Sequence, residues 1–164
     1  MHIAASLEDE IVSLFSRYFA LSHELLRKLR EFDASEEWSR QGFVSCAHWL
    51  NFRVGLDLGA AHEKVRTARA LDSLPQVSAA LSRGEISYSK VRALSRIATV
   101  ENESELLQVA KLATASQVEK LTRAWAKADA VEDQKKEERR CAPIFFDADA
   151  CASSLRDGGR RKQR

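Results

Sequence analysis

The sequence predicts an all-α fold: a multi-helix bundle with a long N-terminal helix, a helix-turn-helix-like corner and an irregular C-terminal tail. Three observations predict it. Helix-forming residues dominate the 164-residue chain, which has only six glycines and two prolines. Alternating runs of β-branched residues are almost absent. Apolar residues recur instead at spacings of three and four, the period of an amphipathic helix. A chain of this length buries a sizeable core as one domain with a tail, and the helical texture divides it into a helical domain over 1–140 and a different segment over 141–164.

The first helix is predicted over 6–32. Ser6 with Asp9 three places on forms a capping box. Leu7, Ile11, Leu14, Tyr18, Leu21 and Leu25 then recur every three or four residues, with Phe15, Phe19, Leu26 and Leu29 widening the face. Such a face suits a helix pressed into a core or against a second copy of itself, so residues 7–32 are the candidate dimer surface. Next comes a compact corner, with Ser35 as cap, Trp38 on a short helix and Gly42 as its stop.

Ser45 caps a helix through Val54 that faces Trp49 and Leu50 inward. Gly55 ends it, Leu56 plugs the turn, and Asp57 caps a helix over 58–71. On that helix Leu58, Ala61, Val65, Ala68 and Leu71 define a buried stripe, while Ala60, Glu63, Thr67 and Ala70 make the outward face. His62, Arg66 and Arg69 share a flanking stripe. Gly55, Leu50, Leu56 and Ala61 fit a helix-turn-helix. Asn51 stands where a small alanine is usual, and Lys64 where an apolar residue is expected. The outward face is a poor set of base readers, although Arg66 and Arg69 are placed to reach phosphates.

Pro75 opens a helix over 75–83 that Gly84 ends. Ser87 caps a helix over 88–98, with Val91, Leu94 and Ile97 inside and Arg92 and Arg96 outside. Two further helices are predicted over 101–114 and 117–131, the second capped by Ser116 and carrying Leu121 and Trp125. The run DQKKEERR extends it into solvent. Beyond Cys141 the segment IFF reads as a lone strand, and RDGGRRKQR as a basic disordered tail.

Charge and motifs narrow the function. The chain carries a net charge of +2, unevenly spread: residues 38–96 hold nine basic and four acidic side chains, and 1–37 hold four and eight. A local basic excess is the electrostatic footprint of a nucleic-acid contact, so His62, Lys64, Arg66, Arg69, Arg92 and Arg96 are the candidate DNA-binding residues. Cys46, Cys141 and Cys151 have no CxxC spacing, and the histidines His2, His23, His48 and His62 are scattered. Reduced thiols are expected, with no metal site, no cofactor and no catalytic residue. No phosphate loop, GxSxG elbow or GxGxxG turn is present, so no small-molecule substrate is indicated. The N-terminus lacks the basic and apolar regions of a secretory signal, and no stretch approaches a membrane span, so a cytoplasmic protein is expected.

An ordered series of motifs carries a family resemblance. It runs from Trp38, Gly42 and Phe43 through Ser45, Trp49 and Leu50 to Gly55 and Leu56. Ala61, the VRTARAL segment from Val65 to Leu71, and Leu74-Pro75 follow. AALSRGEIS from Ala79 to Ser87 and VRAL from Val91 to Leu94 complete it. Together, over about residues 8–150, they resemble the bacterial domain of unknown function found N-terminal to HNH endonuclease domains, including mycobacterial repeat-family members. The resemblance implies a helical module followed by a short β-containing region, a linker and a metal-dependent nuclease domain. FFDADA from Phe145 to Ala150 looks like the start of the family's following strand. No His-Asn-His constellation follows, so nuclease activity passes to no residue here. The caps from Leu74 to Leu94 also look like those of partition-protein helix-turn-helix regions, by analogy alone. The expected function is a non-catalytic, DNA-associated helical module. A protein-interaction or dimerisation module, and a truncated or frameshifted nuclease-gene remnant, are the alternatives.

Overall fold

The structure, a computed structural model, describes residues 6–141, with side chains described to residue 128. Among these the fold is all-α, with no strand. The order is α1 (Leu7–Ser35), α2 (Glu37–Arg40), α3 (Cys46–Val54), α4 (Leu58–Ala70), a 3-10 turn (Leu71–Ser73), α5 (Pro75–Ser82), α6 (Tyr88–Leu94), α7 (Glu103–Leu112) and α8 (Ala115–Cys141). Two units divide the chain, one over Met1–Arg123 and one from Ala124, which holds the remainder of α8. The strand-like segment and basic tail expected beyond Cys141 lie outside the described residues.

Caps set most helix starts as the sequence predicts. Ser6 and Asp9 form the reciprocal box at α1, Ser45 accepts from the His48 N–H, Asp57 from Ala60 and Ser87 from Lys90. Two starts differ. Ser35 remains in α1, where its hydroxyl donates to the Phe32 carbonyl. The break comes one residue later, at Glu36, whose φ of 54° turns the chain. At α8 the cap is Thr114 rather than Ser116. Its hydroxyl accepts from the Gln117 N–H at 3.3 Å, while the Gln117 side chain accepts from the Thr114 N–H at 2.8 Å, a second capping box.

α4 lies at the centre of the first unit, packed by α1, α3 and α6. Ala61, Val65, Ala68 and the following Leu71 are buried, as the stripe requires. Leu58 is not; it stays 36% exposed at the first turn. The outward face also differs. Thr67 is fully buried, because α6 covers the side of α4 that the apolar pattern leaves open to water. A helix covered on several sides cannot be placed by one apolar stripe, and Thr67 is small enough to sit in a second interface. α6 itself ends at Leu94, four residues before its predicted end.

The core gathers Leu26 and Leu29 of α1, Cys46, Ala47 and Leu50 of α3, the α4 stripe, Val77 and Leu81 of α5, Val91 and Leu94 of α6, and Leu106, Leu107 and Ala110 of α7. Gly84, at φ +73°, ends α5 against the backbone of Ser16 in α1. A Cβ there would lie 2.4 Å from the Ser16 carbonyl oxygen, closer than any side chain tolerates.

Candidate interaction surfaces

The α3–α4 corner forms as predicted. Gly55 takes φ +74° and its N–H reaches the Asn51 carbonyl. Asn51, out of place against a helix-turn-helix pattern, closes this turn by donating its side-chain amide to the Leu56 carbonyl at 2.6 Å. Lys64, the other departure, lies half-buried with its ammonium 4.3 Å from the centre of the Tyr88 ring. Burial lowers its pKa, since the charged form loses water there.

The basic residues do not form one open stripe. Arg66 donates to the carbonyls of Arg92 at 3.0 Å and Ser95 at 3.2 Å, and grips Glu63 through two further bonds. It therefore clamps the end of α6, where helix carbonyls are left without partners, onto α4. Arg96 reaches the same Glu63 at 2.9 Å. Burial pushes the Glu63 carboxyl up, but the hydrogen bonds from Arg66 and Arg96 outweigh it and hold the pKa below the usual range. Arg69 makes a bidentate pair with Asp33 of α1, at 2.6 and 2.9 Å. Arg92 bonds Glu119 of α8 at 2.5 Å. His62 is exposed, its ring edge-on to His48 with centroids 5.9 Å apart.

Of the six candidates, His62, Arg66 and Arg69 line one groove of about 720 Å³ with Cys46 and Glu63. Lys64 faces a different groove, and Arg92 and Arg96 border a third with Glu119. Periodicity alone does not show the acidic partners. Glu63 lies three residues from Arg66 and is readable from spacing, whereas Asp33 and Glu119 are brought in by tertiary packing.

A second surface lies on α1. At 100° per residue, the stripe Leu7, Ile11, Leu14, Tyr18, Leu21, Leu25 is centred about 130° round the helix from Ser16, Phe19, His23, Leu26, Arg30 and Asp33. The second set faces the fold: Leu26 is buried, Phe19 packs on the core, and His23 hydrogen-bonds Ser78 of α5 at 2.9 Å. The first, more apolar set faces water, its members between 47% and 72% exposed. Phe15 beside it is 55% exposed. A groove of about 460 Å³ lined by Tyr18, Leu21, Leu25 and Lys64 runs along this seam.

Fold and surfaces together define a helical module with an open apolar helix face. Its described residues contain no group of three or more His, Cys, Asp or Glu suited to a metal ion, and no described helix is long and apolar enough to cross a membrane. The chain belongs to the family described as Domain of unknown function (DUF222), whose model matches residues 7–164. No curated protein and no solved structure matches it.

Proposed function

We propose that this chain is a non-catalytic helix-docking module whose working surface is the open face of α1. The observation that carries this reading is the exposure of Leu7, Ile11, Leu14, Tyr18, Leu21 and Leu25 on a helix whose other face already serves the core. A contiguous apolar stripe left in water marks an interaction site. Heptad spacing of this kind is the pattern by which one helix receives another. The resemblance to modules that precede HNH nuclease domains supports a place beside such a domain, holding it or its carrier, rather than in the chemistry.

The test is the pair Leu14→Glu with Leu21→Glu. A docking face is dispensable to the fold, so the variant keeps its far-ultraviolet helical signal. Collapse of that signal would overturn the reading, because the stripe would then belong to the protein's own core.

A DNA-contacting role for His62, Lys64, Arg66, Arg69, Arg92 and Arg96 is the second reading. It is favoured by the Arg69 and Arg96 side chains, 65% and 54% exposed beside their grooves. Each phosphate contact there must displace an intramolecular ion pair, which weakens the gain. Fluorescence anisotropy of a labelled random duplex tests it. Salt-sensitive binding that weakens when Arg69 and Arg96 become alanine supports DNA docking, and its absence at low salt removes it.

A further inference from the structure

Resting on the docking reading, we propose that the occupant of the α1 face is a second copy of the same helix. Leu7, Leu14 and Leu21 fall at one core position of a heptad, and Ile11, Tyr18 and Leu25 at the other, an unbroken run of 3.5-residue period. A face with this pattern is complementary to itself. The six exposed apolar side chains of the seam, with Phe15 on its flank, offer roughly 100 Å² each, or about 700 Å² per copy, close to the area each partner contributes to a standard interface.

The stripe facing the rest of the fold points away from this seam, since Gly84 meets α1 at Ser16 on the other side. Two copies therefore meet along α1 without competing for the contacts that hold each one together.

Sedimentation velocity of the full chain from sub-micromolar to about a hundred micromolar, with site-directed crosslinking, tests the inference. A monomer–dimer equilibrium is expected, abolished by Leu14→Glu with Leu21→Glu. Copies carrying Leu14→Cys should be joined to one another by a short bis-maleimide in a background with Cys141 and Cys151 changed to serine, and a dimer that resists joining there would overturn the α1 seam. A monomer at every concentration would overturn self-pairing, and so would a dimer that survives both glutamates. If the full chain stays monomeric while a chain ending at Cys141 dimerises, the occupant is the protein's own C-terminal segment and the proposal falls. In each case retention of helical signal by the glutamate variant leaves the docking reading standing, whereas its loss removes that reading too.

Discussion

The carboxylate of Glu103, 1% exposed at the start of α7, accepts a hydrogen bond of 2.7 Å from the backbone N–H of Val77 in the first turn of α5. α5 has no side-chain cap of its own, because Leu74 precedes it and Pro75 occupies its first position. Glu103 supplies the missing acceptor from 26 residues away, and its negative charge sits where the α5 dipole favours it. Glu103→Ala should cost about 2–3 kcal/mol in urea unfolding, and Glu103→Gln, which keeps an acceptor, about 1 kcal/mol. Equal loss in the two variants would mean that the charge, not the hydrogen bond, is what α5 requires.

Arg66 joins α4 to the end of α6 through two carbonyls and through Glu63, so its loss is felt in folding. Arg66→Ala should lower stability by about 1–2 kcal/mol, discounted for the third of the side chain that meets water. Arg66→Lys should recover little, since an ammonium cannot reach two carbonyls and a carboxylate in one planar fork. Thermal unfolding followed by circular dichroism reads both. A fully stable Arg66→Ala would release this side chain for intermolecular work.

Gly84→Ala places a methyl group into the Ser16 carbonyl and asks alanine for φ +73°. Both costs act together, so destabilisation above about 2 kcal/mol is expected, or about 4 °C or more in Tm. A neutral substitution would require α1 to move off the turn between α5 and α6, and crosslinking Ser16 to a neighbour of Gly84 would report it.

Cys46 is 1% exposed, and burial pushes its thiol up to about 11, with Asp33 adding to the shift. At pH 8 the thiolate is a minute fraction, so alkylation must await opening of the fold. Peptide mapping after iodoacetamide should find Cys46 unmodified in native protein and modified in urea. Rapid native labelling would place α3 outside the stable core.

Glu85 follows Gly84 in the turn after α5 and pairs with Arg83 and with Lys111 of α7, the latter at 2.9 Å. Hydrogen bonds from Arg83 and Lys111 hold its carboxyl at about 2, below the 4.5 of a free glutamate. Its contribution is therefore present above pH 4.5 and is lost as the pH falls from there towards 2. Glu85→Gln should flatten that part of the stability profile, by lowering stability at neutral pH and leaving it nearly unchanged at pH 2. An unaltered acid limb would show that Glu85 pairs equally well in the unfolded chain.

The legible part of this fold is the part governed by short sequence range. Ser6, Ser45, Asp57 and Ser87 announce their helices because each cap bonds a backbone group three residues on. Gly55 and Gly84 announce their turns because the chain needs a positive φ there. Thr67 is misplaced by its spacing because a second helix covers the side of α4 that the apolar stripe leaves open. Asp33, Glu119 and Glu103 are invisible as partners, since each is brought to its basic or backbone group by packing across at least 26 residues. The α1 stripe is legible as apolar, but not as outward, because a core face and a docking face share one period.

Every residue from Leu7 to Phe15 is exposed, and α1 first meets the α5–α6 turn at Ser16. Nine residues at 1.5 Å each make an overhang of about 13 Å, slightly more than the 10–12 Å width of a helix with its side chains. An incoming helix can thus cross that arm at a steep angle and still clear the turn behind it. Steric clearance at the N-terminal end leaves crossing angle free, whereas further along α1, beside Lys64, the neighbouring helix confines an occupant to lie lengthwise.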